Sequence, residues 1–277
     1  MRAARIEPLL ADRTPKRGGR WRDHREVIDA VAWKFQTGSQ WVHLPEKYGN
    51  WRGVYNRLRM WPVDGTWERV FTALMAQADA DEDLNWAVSV DSTIVHAHQH
   101  VAGARKRAPG GEPDDHAIGR SRGGLTTKIH LACDGKGRPL AILLTPGQHH
   151  DSICARPLLE RIRVQRTGLG RPRSKPDQVI ADKAYSSRRF RAYLRKRGIA
   201  CAIPEKADQL RHRHHRGSRE GRPPTFDRQI YGRRNVVERC FNRLKGFRGI
   251  ATRYDKTATS YEAAVSLASF LLWARSV

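Results

Sequence analysis

Three acidic residues stand where a carboxylate is unexpected. Asp91 interrupts the apolar stretch "VSVDSTIV", Asp182 ends a similar stretch, "VIADKAY", and Glu238 is the single acid among six basic residues in 231–250. A charge in an apolar strand is costly unless it is paired or bound to a metal. Carboxylates suit Mg²⁺ or Mn²⁺, and two such ions can drive phosphodiester cleavage. Asp91 and Asp182 are candidate metal ligands, and the alternative for either is a solvent-facing position at a strand edge or end.

The stretch around Glu238 has helical periodicity. At about 100° per residue, one helix edge would carry Tyr231, Arg234, Glu238 and Lys245. A separate apolar stripe would pack on a sheet, and it consists of Val237, Cys240, Leu244 and Phe247. A surface pair of Arg234 with Glu238 would contribute only about 0.2–0.5 kcal/mol and would leave the other two polar residues unexplained. We therefore expect a function for this edge beyond a surface ion pair.

Composition points to a polyanionic partner. The 277-residue chain carries a net charge of +24, with a pI near 10.8, which favours nucleic acid over an anionic membrane surface. No apolar run reaches the roughly 18 residues of a membrane span, and the N-terminus lacks the apolar segment of a signal peptide. The four cysteines lack CxxC spacing, which argues against a zinc knuckle or a disulfide framework. We expect no membrane association and a cytoplasmic location.

The acids need a scaffold, and the chain divides into three parts. Residues 1–22 are expected to form a basic arm and residues 23–82 a helical domain. In "NWRGVYNRLRMW", Val54 and Leu58 should face inward. The polar residues expected outside are Arg52, Asn56, Arg57 and Arg59. A helix-turn-helix-like DNA-binding domain is favoured over a helical cap without function, with these four residues as base or phosphate contacts.

Residues 83–277 have a different periodicity, with elements in the order β–β–β–α–β–α–β–α–α. This order predicts a mixed α/β fold. Asp91 would lie in the first strand and Asp182 at the end of the fourth. Asp151 is expected to cap a helix that runs to about residue 166. Residues 206–230 are expected to form a basic insertion with little regular structure.

Other segments allow more than one interpretation. In "HAHQH", His96, His98 and His100 would share one strand face and could bind Zn²⁺, although phosphate contact or solvent exposure is favoured. The Gly-rich segment 119–124, "GRSRGG", could let the backbone approach a phosphate. The basic run 211–217 is expected to be a solvated surface, with a DNA-contact loop as the alternative.

Four residues then connect the chain to a family. Tyr231, Arg234, Glu238 and Lys245 fit the spacing Y-x2-R-x3-E-x6-K and resemble the signature of DDE transposases of bacterial insertion sequences. The similarity is greatest to insertion-sequence family five, within the family four/five group. Supporting blocks occur in the right order: "DSTIVHAHQHVAGARK", "GRSRGGLTTKIHLACDGKGRPL", "TPGQHHD" and "ADKAYSS". The resemblance extends from about residue 20 to about residue 274.

The resemblance implies a fold and a set of ligands. The fold is an RNase H-like mixed sheet flanked by helices, preceded by a small all-helical N-terminal domain. Asp91, Asp182 and Glu238 would be the catalytic acids and would hold two Mg²⁺ ions, with Mn²⁺ as a possible substitute. The expected DNA contacts in the catalytic domain are Tyr231, Arg234, Lys245, Arg120, Arg122 and Lys128.

The resemblance also implies an activity. Such an enzyme binds double-stranded DNA at the terminal inverted repeats, cleaves phosphodiester bonds at the ends and transfers the 3′-OH ends into target DNA. Two ends are paired in a synaptic complex, so a homodimer is expected. The alternatives are a non-catalytic DNA-binding repressor or inactive element copy, and a metal-dependent nuclease without strand transfer.

Overall fold

The computed structural model describes residues 10, 21–103, 113, 115–121, 123–220 and 222–276. The helices are α1 (His24–Thr37), α2 (Trp51–Val63), α3 (Thr66–Ala80), α4 (Asp151–Glu160), α5 (Arg188–Lys196), α6 (Ala207–Arg216), α7 (Arg228–Gly232), α8 (Asn235–Lys245), α9 (Arg248–Ala251) and α10 (Ala258–Ser276). The strands are β1 (Ala87–Ala97), β2 (Gly119–Ser121), β3 (Gly124–Cys133), β4 (Pro139–Pro146), β5 (Gln178–Ala181), β6 (Ala200–Ala202) and β7 (Thr252–Arg253). Arg122 and most of the expected basic arm lie outside the described residues. In the described part of the chain, none of the helices combines the length and the apolar character needed to cross a membrane.

The strands form one mixed sheet with β1 at its centre. β1 is antiparallel to β3 on one side and parallel to β5 on the other. The antiparallel side continues to β4 and the parallel side to β6, while β2 pairs with β3 and β7 with β1. Neighbouring residues of β1 contact different helices: Asp91 bonds to Arg234 before α8, and Ser92 bonds to Asp151 of α4. Because successive strand residues point to opposite faces, helices cover both faces. The expected mixed sheet flanked by helices is confirmed.

Strands β3 and β4 form an antiparallel hairpin, and a buried charge network holds its turn. Asp134 accepts hydrogen bonds from the backbone N–H of Lys136 at 3.0 Å and of Arg138 at 2.8 Å. The fully buried guanidinium of Arg138 donates to Asp134 at 2.7–2.9 Å and also bonds to Asp83. The guanidinium carbon of Arg138 lies 4.4 Å from the ring centroid of Trp273. The turn is thereby tied to the segment after α3 and to α10.

The N-terminal helices follow the predicted periodicity. Helix α1 begins after Asp23, whose carboxylate accepts from Arg25 N at 2.6 Å, and ends at Gly38, which has a φ of +70°. Val54 and Leu58, which were expected to face inward, are buried. The other apolar residues buried on these helices include Val27, Ile28, Val31, Phe35, Val70 and Met75, whereas Phe71 and Leu74 are only partly buried. Only a glycine allows the close packing of α9 on α1, since a Cβ on Gly249 would lie 2.8 Å from Phe35 Cδ1.

These helices share their core with the end of the chain. The ring centroids of Trp67 in α3 and Phe270 in α10 are 6.0 Å apart. Buried residues of α1, α2 and α3 belong to the same cluster as those of α8, α9 and α10. In the described residues, the expected DNA-binding helices therefore have no core separate from that of the sheet.

Two expected elements differ from the structure. Helix α4 begins one residue after its N-cap, His150, and ends at Glu160, because the chain then turns to bury Ile162 and Val164. Asp151 is therefore the first helical residue and not the N-cap. The basic insertion contains a regular helix, α6, where little regular structure was expected. Its first turn is fixed by Gln209, which accepts from Lys206 N at 3.1 Å and donates to Ser186 O at 2.6 Å.

Candidate active site

Asp91 and Asp182 occupy equivalent positions with respect to two neighbouring parallel strands, β1 and β5. The last pair in the ladder between β1 and β5 is Val90 opposite Ala181. Asp91 and Asp182 come next in each strand, so the register brings them side by side. β5 ends at Ala181, and the Asp182 carboxylate then accepts from Lys183 N at 2.5 Å and caps a short 3-10 turn. Sheet pairing therefore joins acids that are far apart in the chain.

Arg234 connects the third acid to this pair. One terminal nitrogen of its guanidinium donates to Asp91 Oδ2 at 2.6 Å, and the other donates to Glu238 Oε1 at 2.6 Å. The negative charge of Asp182 also acts on Arg234. Arg234 thus contacts two of the three acids expected from the sequence, and the charge of the third acts on it from a distance.

The stretch that carries Arg234 and Glu238 is two helices instead of the single helix expected. α7 ends at Gly232 and α8 begins at Asn235. Between them the backbone N–H of Arg234 bonds to Tyr231 O at 2.9 Å, three residues back, and Val237 N bonds to Arg234 O at 3.0 Å. Such 3-10 hydrogen bonds tighten the chain at helix ends. The turn lets Arg234 reach β1 while Glu238 stays in the first turn of α8.

The electrostatics of the site are dominated by its acids. The side chain of Asp91 is only 20% exposed. Burial raises the pKa of Asp91, and the Asp182 charge adds to that rise, whereas the Ser92 N–H and the Arg234 guanidinium oppose it. Gathered carboxylates repel one another unless a cation lies between them. Arg234 supplies that cation.

The remaining two motif residues lie near the same strand. Lys245 Nζ lies 3.5 Å from Ile94 O of β1, and burial lowers the pKa of Lys245. The partly exposed Tyr231 has its ring centroid 5.4 Å from that of Phe226 and 5.9 Å from the Arg234 guanidinium carbon. Both cations of the motif therefore reach β1, three residues apart.

A polar cluster that the sequence analysis missed lies on the other face of β1. The Asp151 carboxylate accepts from Ser92 Oγ at 2.8 Å and pairs with Lys128 Nζ at 3.0 Å. Burial alone would raise the pKa of Asp151, but the Ser92 hydroxyl and the Lys128 ammonium outweigh it and lower the pKa. Buried His130 has Nδ1 at 4.0 Å from Asp151 and Nε2 at 2.8 Å from Thr145 Oγ1. The signal for this cluster was the block "TPGQHHD", which ends at Asp151.

This cluster changes the interpretation of Lys128, which was expected to contact DNA. Its ammonium group donates to His149 O at 2.7 Å and pairs with Asp151, and its side chain is largely buried. Lys128 holds α4 on the sheet, on the face opposite Asp91. An i, i+2 strand pattern cannot show this, because the partner comes from a helix farther along the chain.

The expected contacts in the N-terminal helices are divided between surface and interior. Arg52, Asn56 and Arg59 are exposed, and so is Arg120 in β2. The expectation that Arg57 lies outside is wrong, since it is 7% exposed. Its guanidinium stacks 3.7 Å from the centroid of Trp21, and Nη1 lies 2.9 Å from His24 Nδ1.

The three alternating histidines do not form a metal site. β1 ends at Ala97, so only His96 belongs to the strand. The ring centroids of His98 and His100 are 4.5 Å apart. The ring of His96 lies instead beside Gly123, where an added Cβ would be 2.9 Å from His96 Cε1. Since the strand ends before His98, the shared face expected for zinc is lost. In the basic run 211–217, most side chains of α6 are exposed, as a solvated surface predicts.

Comparison with known proteins decides the family. The profile described as "Transposase DDE domain" matches residues 83–273, more than half of the chain. The chain belongs to the DDE transposase family. A second profile, described as a putative transposase of the IS4/5 family, matches residues 4–71. The family catalyses DNA cleavage and strand transfer, so this transposase is an enzyme of that class.

Relatives with curated sequences agree. The transposase is 35% identical over 151 residues to a putative transposase for insertion sequence element IS6501 of Brucella ovis. The aligned region covers 54% of this chain and 100% of the relative. It is 32% identical over 146 residues to a putative transposase for insertion sequence element IS402 of Burkholderia cepacia, covering 53% of this chain and 62% of the relative. Both relatives are transposases of insertion sequences by name.

Solved structures add little. A Mos1 transposase paired-end complex is similar at 15% identity, with a TM-score of 0.26 and coverage of 98% of this chain and 83% of that chain. A pre-cleavage Mos1 transpososome gives a TM-score of 0.25. Scores this low carry no argument about the transposase.

Membership in the family implies a divalent metal ion, and the acids fit one in donor chemistry. Asp91, Asp182 and Glu238 offer hard carboxylate oxygens, which suit Mg²⁺ or Mn²⁺. Two of them already share a cation, the Arg234 guanidinium. Across the described ranges, no group of three or more His, Cys, Asp or Glu side chains is close enough to hold an ion. Arg234 lies where Asp91 and Glu238 would otherwise approach one another.

Proposed function

We propose that the transposase cleaves DNA at the ends of its insertion sequence and transfers the 3′-OH ends into target DNA, with two divalent ions held by Asp91, Asp182 and Glu238. The observation that carries this proposal is the pair of 2.6 Å hydrogen bonds from Arg234 to Asp91 and Glu238, beside Asp182 on the neighbouring strand. It shows that carboxylates from β1 and α8 reach a common cation.

The acids would divide their tasks by position. Asp91 and Asp182 extend from adjacent parallel strands of a rigid sheet and would set the spacing of the ligands. Glu238 is more exposed and lies in the first turn of α8, so it would close the ligand set from above the sheet. Two bound Mg²⁺ ions would activate the attacking water or 3′-OH and stabilise the leaving oxygen.

The cations of the motif would hold the DNA strand. With a metal ion held by Asp91 and Glu238, the guanidinium of Arg234 would be available for a phosphate, to which it could donate two hydrogen bonds. Tyr231 in α7 and Lys245 in α8 lie on either side of Arg234 along the chain. We further propose that exposed Arg52, Asn56 and Arg59 contact the inverted repeats and that the active assembly is at least a dimer, pairing two ends.

The test is Asp182→Asn, measured on labelled duplex carrying the element end. Nicking with Mg²⁺ or Mn²⁺ should fall by at least about a thousandfold, while the Kd for DNA in EDTA stays within about twofold. Asp177→Asn is the matched control, because Asp177 lies just before the same strand but is exposed and pairs only with Arg173 among the contacts described. Cleavage that survived Asp182→Asn would overturn the assignment.

A second measurement separates a transposase reaction from plain nuclease activity. A pre-cleaved end with a free 3′-OH is incubated with the protein, a divalent metal and a supercoiled target plasmid. Joined product is expected with the unmodified protein and with Asp177→Asn. Nicking without joining in both metals would leave only a nuclease.

A further inference from the structure

A large cavity lies between the N-terminal helices and the end of β1. Its volume is about 870 Å³, within the range of pockets that enclose small organic ligands. Its walls come from segment 34–41, from Tyr55 and Arg59 on α2, from the two histidines after β1, and from segment 254–260. The catalytic acids do not line it.

Part of the wall is aromatic. The ring centroid of His98 lies 4.5 Å from that of His100 and 5.1 Å from that of Tyr254, with interplanar angles of 33° and 32°. Tyr254 is 41% exposed. Trp41 and Tyr55 form a second aromatic pair, edge-on, with centroids 5.4 Å apart. The exposed ring of Tyr254, tilted against His98, offers a surface on which a planar aromatic ligand can stack.

The charge of the lining favours an anion. Among the described residues, three cations, Lys34, Arg59 and Lys256, line the cavity against one acid, Asp255, which leaves an excess of two positive charges in that part of the lining. Lys34 is 5% exposed and lies 4.2 Å from the ring centroid of Phe35. Lys256 and Arg59 are exposed to solvent. Such a lining raises the local concentration of anionic groups.

One buried acceptor in the lining lacks a partner. Asp255 Oδ2 is buried and has no hydrogen-bond partner in the part of the chain that the structure describes. Buried polar atoms are nearly always paired in folded proteins. A ligand that brings an N–H donor would complete this carboxyl, and the edges of nucleobases carry such donors. Stacking surface, cations and a lone acceptor together describe a site for a nucleotide.

We propose that the cavity binds one unpaired nucleotide of a DNA strand, with its base stacked on Tyr254 and His98 and its phosphate held by Lys256 and Arg59. This inference rests on the proposed function, since it takes DNA as the partner. β1 continues for six residues beyond Asp91, to Ala97 just before His98, and spans roughly 20 Å over that length at about 3.3 Å per residue. A DNA strand crosses that distance in about six nucleotides at about 3.4 Å each.

The test compares three labelled duplexes in EDTA by fluorescence anisotropy: fully paired, with one unpaired adenosine, and with one unpaired abasic nucleotide. The abasic duplex keeps the backbone kink and removes only the base. The full-length protein should prefer the adenosine over the abasic duplex by about five- to 150-fold, as base stacking on aromatic side chains gives. Tyr254→Ala should reduce this preference to less than about twofold without changing the Kd for the paired duplex. Tyr254→Phe keeps the ring and should keep the preference.

Several results would overturn the proposal. They are equal affinity for the adenosine and abasic duplexes, a preference that survives Tyr254→Ala, and competition by free dAMP as strong as that by the adenosine duplex. The last result would identify a site for a free nucleotide. A protein that prefers the unpaired adenosine but never cleaves would contradict only the proposed function, and one that binds none of the duplexes would contradict both.

Discussion

Arg234 and Asp91, 143 residues apart in the chain, are joined by a 2.6 Å hydrogen bond, and the same guanidinium bonds to Glu238. The side chain therefore occupies the position of a shared cation between two acids. A divalent ion that bound both carboxylates would compete with this guanidinium for their negative charge. Metal binding would then favour release of Arg234 toward a phosphate.

Replacement of Arg234 tests this competition. In Arg234→Gln the acids lose their counter-ion, so the free energy of unfolding without metal should fall by about 2 kcal/mol, since a hydrogen bond to a charged group contributes about 1.5–3 kcal/mol. Mn²⁺ should bind the variant at least about fivefold more tightly, because no internal cation opposes it. Calorimetric titration of Mn²⁺ without DNA measures the second effect. Arg233→Gln, an exposed neighbour, is the control, and equal Mn²⁺ affinity in all three proteins would contradict the idea.

The hairpin turn offers a matched pair of basic residues. Arg138 is fully buried between Asp134 and Asp83, whereas Lys136 bonds to Asp83 at the surface. Arg138→Gln leaves a buried carboxylate without its partner and should lower the free energy of unfolding by about 3–5 kcal/mol. Lys136→Gln should cost about 1 kcal/mol or less. Urea denaturation measures both, and similar losses would show that burial does not govern this network.

Two arginines of α2 should separate stability from DNA binding. Arg57 is buried against Trp21 and His24, so Arg57→Gln should lower the free energy of unfolding by about 2 kcal/mol. Arg52 is exposed, so Arg52→Gln should change stability by less than about 0.5 kcal/mol. It should weaken DNA binding and reduce the slope of log K against log salt by about 0.9, the value for one lost phosphate contact. An unchanged salt slope would remove Arg52 from the DNA contacts.

Stability should fall in mild acid because of His130. Burial lowers the pKa of His130 to about 4, from 6.5. As the pH falls below about 6.5, the unfolded chain takes up this proton before the folded protein does, so the free energy of unfolding decreases until the pH reaches about 4. The full loss is about 3 kcal/mol. Thermal unfolding of the unmodified protein and of His130→Gln between pH 7.5 and 5 would check this, and identical pH slopes would count against it.

Periodicity was enough to predict most of the helices and strands, and the resemblance to a family pointed to the three acids. The helical faces of α1 to α3, the strand around Asp91 and the β3–β4 hairpin depend on local patterns that the chain displays directly. The inward position of Arg57, the role of Lys128 and the turn at Arg234 could not be predicted this way. Each depends on a partner distant in sequence: His24, Asp151 and Asp91. Such contacts override the local preference of a basic residue for solvent.

The shared core has a consequence for how the protein is made. The ribosome releases α1, α2 and α3 long before α10, yet Trp67 packs on Phe270 and α1 packs on Gly249. Nascent helices therefore expose their apolar faces until the last segment emerges, and contacts between distant segments form slowly. The surface proposed to recognise element ends is completed only with the final helix. A chain interrupted before α10 would yield neither a folded reader of DNA nor a catalyst.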